Sequence, residues 1–581
     1  LASWVTALTL TLLLCHKFIK NPSKKKSEGF QEKVAAFFDS LNPYYEKALR
    51  FILSVRIPFI IVMVILFLGA VGSLGMVSQK FFPDSDRTQV LVYLDFPSAT
   101  SMRKTDEEIQ KMLTVLKDKE RFPHIESYAG YGGFGGPRFV LSLTPIDPES
   151  NKGFLVINID DIKNSDQTIN ALRSMFDKEF PAVMARVTRM FLGPSDSSKI
   201  EIQIKGPDSD YIFAKAREIE TVLSEIPDVI DIKHDWENRV PQIKVDVDQQ
   251  RAKRAGVTSA DIAQSLERYF SGQSISEFRE GDDIFPIMVR AEDSERFDLD
   301  RIYSVNVFAS ERNITVPLLQ VADISLENNY SRIAREDLFR TITVEAKNKK
   351  LSAESMVALI DDQIQEMKKT LPPSHSIEYD GVVAESAEGQ AALSASLPFC
   401  LAIVGLLLIM QFNSFRRATI IALTVPMMVI GAAIGLHVMQ ADFGFMVILG
   451  LYALAGIIIN NAIVLIDRID IERNEIKRDE NADNNETDDQ DFEAIISACV
   501  RRLRPIVMAT VTTILGLLPL IFSGDALFYG MACAIAFGLA VGTVLTLGFT
   551  PVLYSLFFKI NPPKNKKKDE PDNAQIASQS A

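Results

Sequence analysis

The chain has 581 residues, 47% of them hydrophobic, and a formal net charge of −13. Its basic residues cluster beside long apolar runs, which argues against nucleic acid as a partner. The four cysteines lie in or next to those runs, and the five histidines are scattered. These patterns argue against a disulfide framework and a metal centre, and we expect no cofactor.

The apolar runs form two groups, separated by a polar stretch from about residue 80 to 385. A bilayer-spanning helix needs about 20 predominantly apolar residues. The sequence therefore predicts a polytopic α-helical membrane protein with one large extramembrane α+β domain. The predicted spans are 3–19, 56–78, 392–411, 418–438, 445–467, 506–523 and 529–558.

The distribution of Lys and Arg predicts the orientation in the membrane. The turns at 440–444 and 523–526 carry neither residue, whereas alternate loops are basic. Positive loops face the cytoplasm, so the large domain is predicted to be periplasmic, in the inner membrane of a Gram-negative bacterium. The basic loops are "NPSKKK" (21–26), "FNSFRR" (412–417), "RRLR" (501–504) and "KNKKK" (564–568).

Three polar segments connect or follow the spans. Residues 29–50 are amphipathic, which predicts a helix along the membrane surface on the cytoplasmic side. Residues 474–492 are acidic and predict a flexible cytoplasmic loop, and the tail from about residue 561 is predicted to be disordered.

The large domain alternates strand-like and helix-like patterns in the order βαββαβ, the split ferredoxin-like unit. A second unit of this type is interrupted by an insert at about 240–325. The first unit's predicted elements are the strands 88–96, 125–131, 138–146 and 185–193 and the helices 101–119 and 166–180. The second unit's elements are the strands 199–206, 229–235, 339–348 and 375–381 and the helices 210–226 and 351–371.

Four stretches in this order resemble one family. They are "KFFPDSD" (80–86), "QFNSFRRATIIALTVPMMVIGAAIGL" (411–436), "LYALAGIIINNAIVLIDRI" (451–469) and "RRLRPIVMATVTTILGLLPLIFSG" (501–524). The chain resembles the C-terminal half of a resistance–nodulation–division (RND) efflux permease of the acriflavine-resistance, hydrophobe–amphiphile type. The first residues resemble the end of a membrane helix that began earlier in a longer protein.

The resemblance implies a secondary transporter rather than an enzyme. It would export amphiphilic or hydrophobic compounds by proton antiport. Its implied partners are a periplasmic membrane-fusion adaptor, an outer-membrane channel, membrane lipid, and either two further copies in a homotrimer or the chain's own N-terminal half. Multidrug resistance is the implied physiological role.

The resemblance also implies a division of the chain into family elements. The membrane parts are 1–20 (the end of helix 6), 56–78 (helix 7), 386–473 (helices 8–10) and 501–560 (helices 11–12). The cytoplasmic parts are a linker with the surface helix (21–55), an acidic loop (474–500) and the tail (561–581). The periplasmic parts are the third porter subdomain (79–195), the fourth (196–235 and 328–385) and a docking subdomain (236–327).

Two adjacent amides, Asn460 and Asn461, lie inside an apolar span, where an unmet hydrogen bond costs several kcal/mol. The family pattern carries a Lys at the first position, which pairs with acids on the absent fourth span. We expect both amides to hydrogen-bond those acids, with help from Thr510 and Thr513. The alternative is interhelical polar contact without a role in coupling. Asp467 is expected to be interfacial.

The glycine-rich stretch "YGGFGGPRF" (131–139) is predicted to join two strands of the first unit. By resemblance it is the loop that separates two drug pockets. Its substrate-path candidates are Gly133, Phe134, Gly135, Gly136 and Phe139, with Phe139 expected on the following strand. The alternative is an ordinary glycine-rich hairpin.

Three other functions stay open. Met184 and Met190 are the only hint of thioether ligands for a heavy-metal efflux permease. The departures of Asn460 from the family's Lys and of Ala509 from the family's Thr leave open a non-transporting, degenerate scaffold. A relative of protein-translocation accessory subunits is a further alternative, although the docking insert disfavours it.

Overall fold

The computed structural model describes residues 2–18, 30–140, 142–143, 145–193, 196–292, 299–476 and 484–562. The chain divides into two compact units. We call Leu1–Asp86 with Ala384–Ala581 the membrane unit and Arg87–Val383 the extramembrane unit. Each unit has its own core and is described separately.

The described α-helices are, in chain order, α1 (Ala2–Phe18), α2 (Phe30–Ser54), α3 (Arg56–Leu74), α4 (Met102–Val115), α5 (Ser165–Glu179), α6 (Ser209–Ser224), α7 (Gln249–Ala255), α8 (Ser259–Phe270), α9 (Ala353–Lys369), α10 (Val382–Phe412), α11 (Phe415–Thr424), α12 (Met428–Met439), α13 (Phe445–Ile476), α14 (Asn484–Ser523) and α15 (Tyr529–Phe557).

The described strands are β1 (Gln89–Asp95), β2 (Ile125–Gly132), β3 (Lys152–Ile159), β4 (Met184–Arg189), β5 (Lys199–Gly206), β6 (Val229–His234), β7 (Arg239–Val247), β8 (Gln273–Glu280), β9 (Asp283–Val289), β10 (Asn306–Ala309), β11 (Ile314–Pro317), β12 (Ala322–Tyr330), β13 (Arg335–Glu336), β14 (Phe339–Asn348) and β15 (Ser376–Asp380).

Within the described residues, six helical segments are long and apolar enough to cross a membrane. They correspond to every predicted span after the first, which α1 covers with 17 residues. The six are Arg56–Leu74, Val382–Phe412, Phe415–Met439, Phe445–Glu475, Asp489–Ser523 and Tyr529–Phe557. The third of these contains a short 3-10 turn at Val425–Met427, because Pro426 cannot donate a backbone hydrogen bond.

The core of the membrane unit forms where α12 packs against α15. A Cβ added to Gly431 would lie 2.6 Å from the Phe537 carbonyl oxygen, so the two backbones approach too closely for any other residue. Gly538 of α15 is similarly tight against Leu454 of α13. Small residues allow this approach, and the close packing drives helix association in lipid.

The predicted surface helix is present as α2, and its apolar face packs against the membrane helices. Leu49 and Leu53 are buried in a cluster with residues of α14 and α15. The Tyr45 hydroxyl donates a hydrogen bond to the Leu547 carbonyl at 3.0 Å, and Arg50 pairs with Glu493 of α14 at 2.5 Å.

The predicted acidic loop over 474–500 is wrong for most of its length. Helix α13 continues to Ile476, and α14 begins at Asn484; residues 477–483 lie outside the described residues. The buried side chains of Phe492, Ile495 and Cys499 recur at helical spacing and join the core cluster of the membrane unit. The predicted tail over 561–581 lies almost wholly outside the described residues.

The segment that was assigned to the start of the third porter subdomain belongs to the membrane unit as far as Asp86. Gln79 forms a parallel bridge with Phe443 in the loop between α12 and α13. The Lys80 N–H donates to the Phe443 carbonyl at 3.1 Å, and the Lys80 ammonium pairs with Asp442 at 3.3 Å. These contacts fasten the connector after α3 to that loop.

The first sandwich, which we define as residues 87–193, has the predicted βαββαβ order, but its third strand was misplaced. The sheet order is β2-β3-β1-β4, all antiparallel, and the third strand is β3 rather than 138–146. Pro137 directly precedes the misassigned segment and Pro145 lies within it, and both disfavour a central strand. Its apolar residues Val140, Leu143 and Ile146 instead pack on the open face of the sheet.

The second sandwich, which we define as residues 196–238 and 332–383, repeats this topology. Its sheet has the order β6-β14-β5-β15, the same arrangement as in the first sandwich, with β13 at the edge. Helices α6 and α9 cover one face, where Ile200, Ile202 and Ile204 are buried. The insert lies between β7 and β12, which pair as an antiparallel ribbon, and has its own small core.

Candidate functional site

Asn460 and Asn461 lie in the middle of α13, and Asn460 is exposed on the surface of the membrane unit. Gly456 and Asp467 share that exposed face, because their positions follow the helical repeat. Among the residues that the structure describes, neither asparagine side chain has a hydrogen-bond partner. The amide of Asn460 therefore points away from the rest of this chain.

The two threonine candidates are engaged elsewhere. Thr510 is buried, and its hydroxyl lies 3.0 Å from the Thr543 hydroxyl of α15. Thr513 donates to the Ala509 carbonyl of its own helix at 3.0 Å. The structure therefore does not bring either hydroxyl to the asparagines, and their role in a proton relay stays a prediction.

Two charged residues that follow Asp467 on α13, Asp470 and Arg473, are paired within the chain. Asp470 forms an ion pair with Arg417 at 2.8 Å and accepts a hydrogen bond from the Tyr554 hydroxyl at 2.6 Å. Arg473 pairs with Asp491 at 2.5 Å. Asp467 has no such partner among the described residues, so it shares both the exposure and the isolation of Asn460.

The glycine-rich segment opens a long connection between β2 and β3 rather than a short hairpin. The Gly133 N–H donates to the Lys152 carbonyl at 2.7 Å, and the Gly135 N–H donates to Ile146 at 3.3 Å. Gly133 and Gly136 have φ of +75° and +70°, which favours glycine, and a Cβ on Gly135 would meet the Ile146 nitrogen at 2.3 Å.

The two phenylalanines of this connection are both exposed. Phe134 is 41% exposed and makes an edge contact with the Tyr131 ring at 5.5 Å between centroids. Phe139 is 45% exposed and lies in the connection, so its predicted place on a strand is wrong. Neither lines the cavity described next, to which the connection contributes Ile146.

A cavity of about 740 Å³ lies between the two sandwiches of the extramembrane unit. This volume falls in the range of pockets that bind small organic molecules. Its walls come from β1, β3 and β4 of the first sandwich and from β6 and β14 of the second. Charged side chains dominate the lining, including Asp95, Lys152, Arg186, Lys233, Glu237 and Glu345.

Sheet geometry explains why charges meet at this cavity. Alternate residues of β1 point to opposite faces, so Val90, Val92 and Leu94 pack under α4 and α5. Tyr93 and Asp95 therefore face the other way. On β14, Thr343, Glu345 and Lys347 alternate in the same manner with Ile342, Val344 and Ala346, which are buried.

Ion pairs connect the two sandwiches across this region. The Asp95 carboxylate lies 3.0 Å from the Lys152 ammonium and 2.7 Å from the Lys233 ammonium of the second sandwich. Arg173 pairs with Asp231 at 3.0 Å. A polar interface of this kind holds two domains in register while leaving them able to move relative to each other.

Among the carboxyl groups of the cavity, the pKa values of Asp95, Glu345 and Asp235 are strongly perturbed. Burial raises the pKa of Asp95, but the ammonium groups of Lys233 and Lys152 outweigh it and lower the value to about 2. Burial also raises the pKa of Glu345, but the nearby positive charges of Lys199, Lys233 and Arg186 outweigh it and lower the value to about 2. Burial raises the pKa of Asp235 to about 6. The hydrogen bond from the Thr343 N–H stabilises the anion and lowers the pKa, but by less than burial raises it.

The methionines considered as metal ligands do not converge. Met184 lines the cavity and is 38% exposed, whereas Met190 is 1% exposed and packs in the core with Leu91 and Phe154. Across the described ranges, no three His, Cys, Asp or Glu side chains cluster in a way that suits a metal ion.

The cavity charges are the residues that sequence reasoning missed. For one of them, Glu345, the signal was the alternation of "TITVEAK" (341–347), where Thr, Glu and Lys interleave with Ile, Val and Ala. That alternation indicates a sheet with one charged face, but it does not say what the face meets.

The chain is similar to a known protein family and to solved structures. The model of the AcrB/AcrD/AcrF family matches residues 1–558. The chain is also similar to two crystal forms of a heavy metal efflux pump. Form II has a TM-score of 0.72 and 22% identity, covering 90% of this chain and 53% of the pump. Form I has a TM-score of 0.70 and 21% identity, covering 89% and 52%. The chain therefore spans about half the length of the pump structures it matches.

Proposed function

The chain belongs to the AcrB/AcrD/AcrF family of RND efflux permeases, and from this membership we propose that it forms one half of a proton-driven exporter. This half carries the last membrane spans and a periplasmic substrate cleft between two porter subdomains. The cargo is an amphiphilic or hydrophobic organic compound. The completing half supplies the acidic side chains that hydrogen-bond Asn460 and Asn461.

The exposed amide of Asn460 is the observation that carries this proposal. A primary amide on the lipid-facing surface of a span would leave its hydrogen bonds unmet in hydrocarbon, at several kcal/mol. Polar groups within membrane helices face a protein interior and mark ion pathways. The chain matches 53% of the pump structure, which supports a second half of similar size that would cover Asn460.

The surrounding assembly follows from the same premise. Basic cytoplasmic loops support a periplasmic location for the extramembrane unit in the inner membrane of a Gram-negative cell. RND efflux pumps generally work as trimers with adaptor and outer-membrane channel proteins, and we propose the same partners here. The insert between β7 and β12 is the proposed docking subdomain.

The lining of the cavity favours organic cargo over a metal ion. Soft metal ions are held by converging thioether and thiolate ligands, and only Met184 of the two candidate methionines reaches the cavity. Its volume of about 740 Å³ and its mixture of aromatic, apolar and charged groups suit a small amphiphile.

Heavy-metal efflux is the second candidate. Both similar structures are described as a heavy metal efflux pump, and Met184 gives the cavity one soft ligand. At 22% identity, that similarity supports the shared fold rather than shared cargo.

The test is export by the full-length transporter in an efflux-deficient Gram-negative host. We expect expulsion of amphiphilic dyes and detergents and no protection against copper or silver ions. Asn460→Ala should abolish export, while Asn170→Ala on the extramembrane helix α5 should not. Metal tolerance without dye export would favour the second candidate. Absence of export of any cargo, with normal membrane insertion, would favour the scaffold.

A further inference from the structure

We propose that Arg186 is the specificity-determining residue of the cavity and that it binds the anionic head group of an amphiphile, a carboxylate, sulfonate or sulfate. This inference rests on the proposed function, because it names the substrate class of the same cleft. It is carried by the unfilled hydrogen-bonding capacity of the Arg186 guanidinium.

The position of Arg186 is set by the sheet. Arg186 on β4 lies directly opposite Tyr93 on β1 in the antiparallel register. Its guanidinium carbon is 4.3 Å from the centroid of the Tyr93 ring, which is itself 7% exposed. A cation held over an aromatic face is attracted by the ring quadrupole. This contact therefore helps to hold the guanidinium at the cavity wall.

The Arg186 guanidinium makes no hydrogen bond within the described part of the chain. Its nearest carboxylate oxygen belongs to Glu345, 3.6 Å from Nη1, which is too long for a hydrogen bond. Its Nε is buried without a partner, although the side chain lines the cavity. An arginine has five N–H donors, and buried donors are nearly always paired.

The other cations of the cavity are better satisfied. Lys152 and Lys233 contact Asp95 at 3.0 and 2.7 Å, and Lys152 also contacts Glu237. A ligand anion would have to break short ion pairs to reach either ammonium. A ligand anion could reach Arg186 without breaking a short ion pair, because Glu345 is 3.6 Å away.

Glu345 can share Arg186 with a ligand without becoming an isolated buried charge. It also pairs with Lys199 at 3.2 Å and lies 3.9 Å from Lys233. An incoming carboxylate would therefore accept the free N–H donors of Arg186, while Glu345 keeps two other cations. Bidentate pairing with a planar oxyanion is the geometry that a guanidinium favours.

The experiment measures binding to the purified full chain in a neutral maltoside detergent. The probes are dansyl-labelled dodecanoate and dansyl-labelled dodecylamine, which share chain length and fluorophore and differ in charge. Trp236 lies beside the cavity residues Asp235 and Glu237, so energy transfer from it reports occupancy. The chain has two tryptophans, and Trp4→Phe leaves Trp236 as the single donor.

We expect Arg186→Gln to weaken dodecanoate binding at least tenfold and to leave dodecylamine binding unchanged or tighter. The matched control is Arg121→Gln, because Arg121 stacks on Phe122 at 5.4 Å and pairs with Glu179 but lies outside the cavity lining. The control should change neither affinity by more than twofold.

A gain of affinity protects the test against simple misfolding. Glu345→Gln removes the carboxylate that competes for Arg186, so dodecanoate affinity should rise severalfold. Equal losses for both probes in Arg186→Gln, or no gain in Glu345→Gln, would overturn the role of Arg186 and leave the proposed function standing. Failure of the wild-type chain to bind either probe would overturn both.

Discussion

The two units treat polar groups in opposite ways. The extramembrane unit places charged side chains between its sandwiches, and nearly all of those discussed above find a counter-ion within the same unit, as Asp95 does with Lys152 and Lys233. The membrane unit leaves the Asn460 amide on an exposed helix face without a partner among the described residues. The extramembrane unit thus pairs most of its inter-sandwich charges internally, with Arg186 as the exception described above. For Asn460, the proposed function supplies the partner from the other half of the transporter.

The largest expected loss of stability comes from breaking the ion pairs of Asp95 between the two sandwiches. Asp95→Ala leaves the ammonium groups of Lys152 and Lys233 without the carboxylate that they share, and removing one member of a buried pair costs about 3–5 kcal/mol. Unfolding of the purified chain, followed by Trp236 fluorescence in a Trp4→Phe background, measures the loss. Asp177→Ala on the exposed side of α5 is the control, and an equal shift in both variants would contradict the pairing argument.

A second effect depends on pH. Burial raises the pKa of Asp235 to about 6, above its value of about 4 in the unfolded chain, so the folded protein binds this proton more tightly. Stability therefore falls as pH rises from about 4 through 6. Asp235→Asn, whose amide oxygen can still accept from the Thr343 N–H, should remove this fall and gain on the order of 2 kcal/mol at pH 7.5.

The measurement is the unfolding midpoint of wild type and Asp235→Asn at pH 4.5 and pH 7.5. The variant should be more stable only at the higher pH. A constant offset between the two pH profiles would show that Asp235 does not titrate in this range.

A smaller effect is expected at the one polar contact between α14 and α15 considered above. Thr510→Val removes the hydroxyl pair with Thr543 and should destabilise the membrane unit by about 1 kcal/mol, the typical scale of interhelical hydrogen bonds in membranes. Thr512→Val is the control, because Thr512 is exposed and donates to its own helix at the Met508 carbonyl. Thermal unfolding in detergent should separate the two variants; identical midpoints would argue against the contact.

The smallest effect sharpens the contrast between the units. Asn460→Ala in this chain alone should change stability by less than about 0.5 kcal/mol, because no contact within the described residues is lost. The same substitution in the full-length transporter should cost more, since the partner groups of the other half are then left unpaired. A large loss in the isolated chain would mean that the amide serves this chain rather than a second half.

Most strands and spans could be predicted because their apolar periodicity is local. Apolar and polar residues alternate along β5, whereas β1 and the spans are continuously apolar, so neighbouring residues indicate burial on one face or on all sides. The segment 138–146 was wrongly predicted as a strand because it is apolar. Its described apolar residues Val140, Leu143 and Ile146 instead pack on the sheet with residues far away in the chain, such as Leu91 and Met190. The first part of α14 was wrongly predicted as a loop because its apolar helical repeat, Phe492, Ile495 and Cys499, is masked by acidic neighbours.

The candidate site also has parts that local sequence predicted and parts that depend on distant contacts. The asparagine pair and the glycine-rich segment were visible as local exceptions to an otherwise consistent pattern. Thr510 was placed with the asparagines by proximity in a family pattern, yet its hydroxyl meets Thr543, because helix rotation is decided by packing. The missing hydrogen bond of Arg186 could not be found this way, since it depends on side chains from β1 and β14.

Hydrophobic runs, charge asymmetry and strand periodicity determined that this protein is a multi-span membrane protein with a repeated α+β domain, because each reflects a short-range preference for lipid, water or a sheet face. Only the tertiary structure decided which charged faces meet, which amide stays exposed and which cation keeps free donors. Those outcomes depend on pairings between residues far apart in the chain, and electrostatic and hydrogen-bond partners are selected by distance in space.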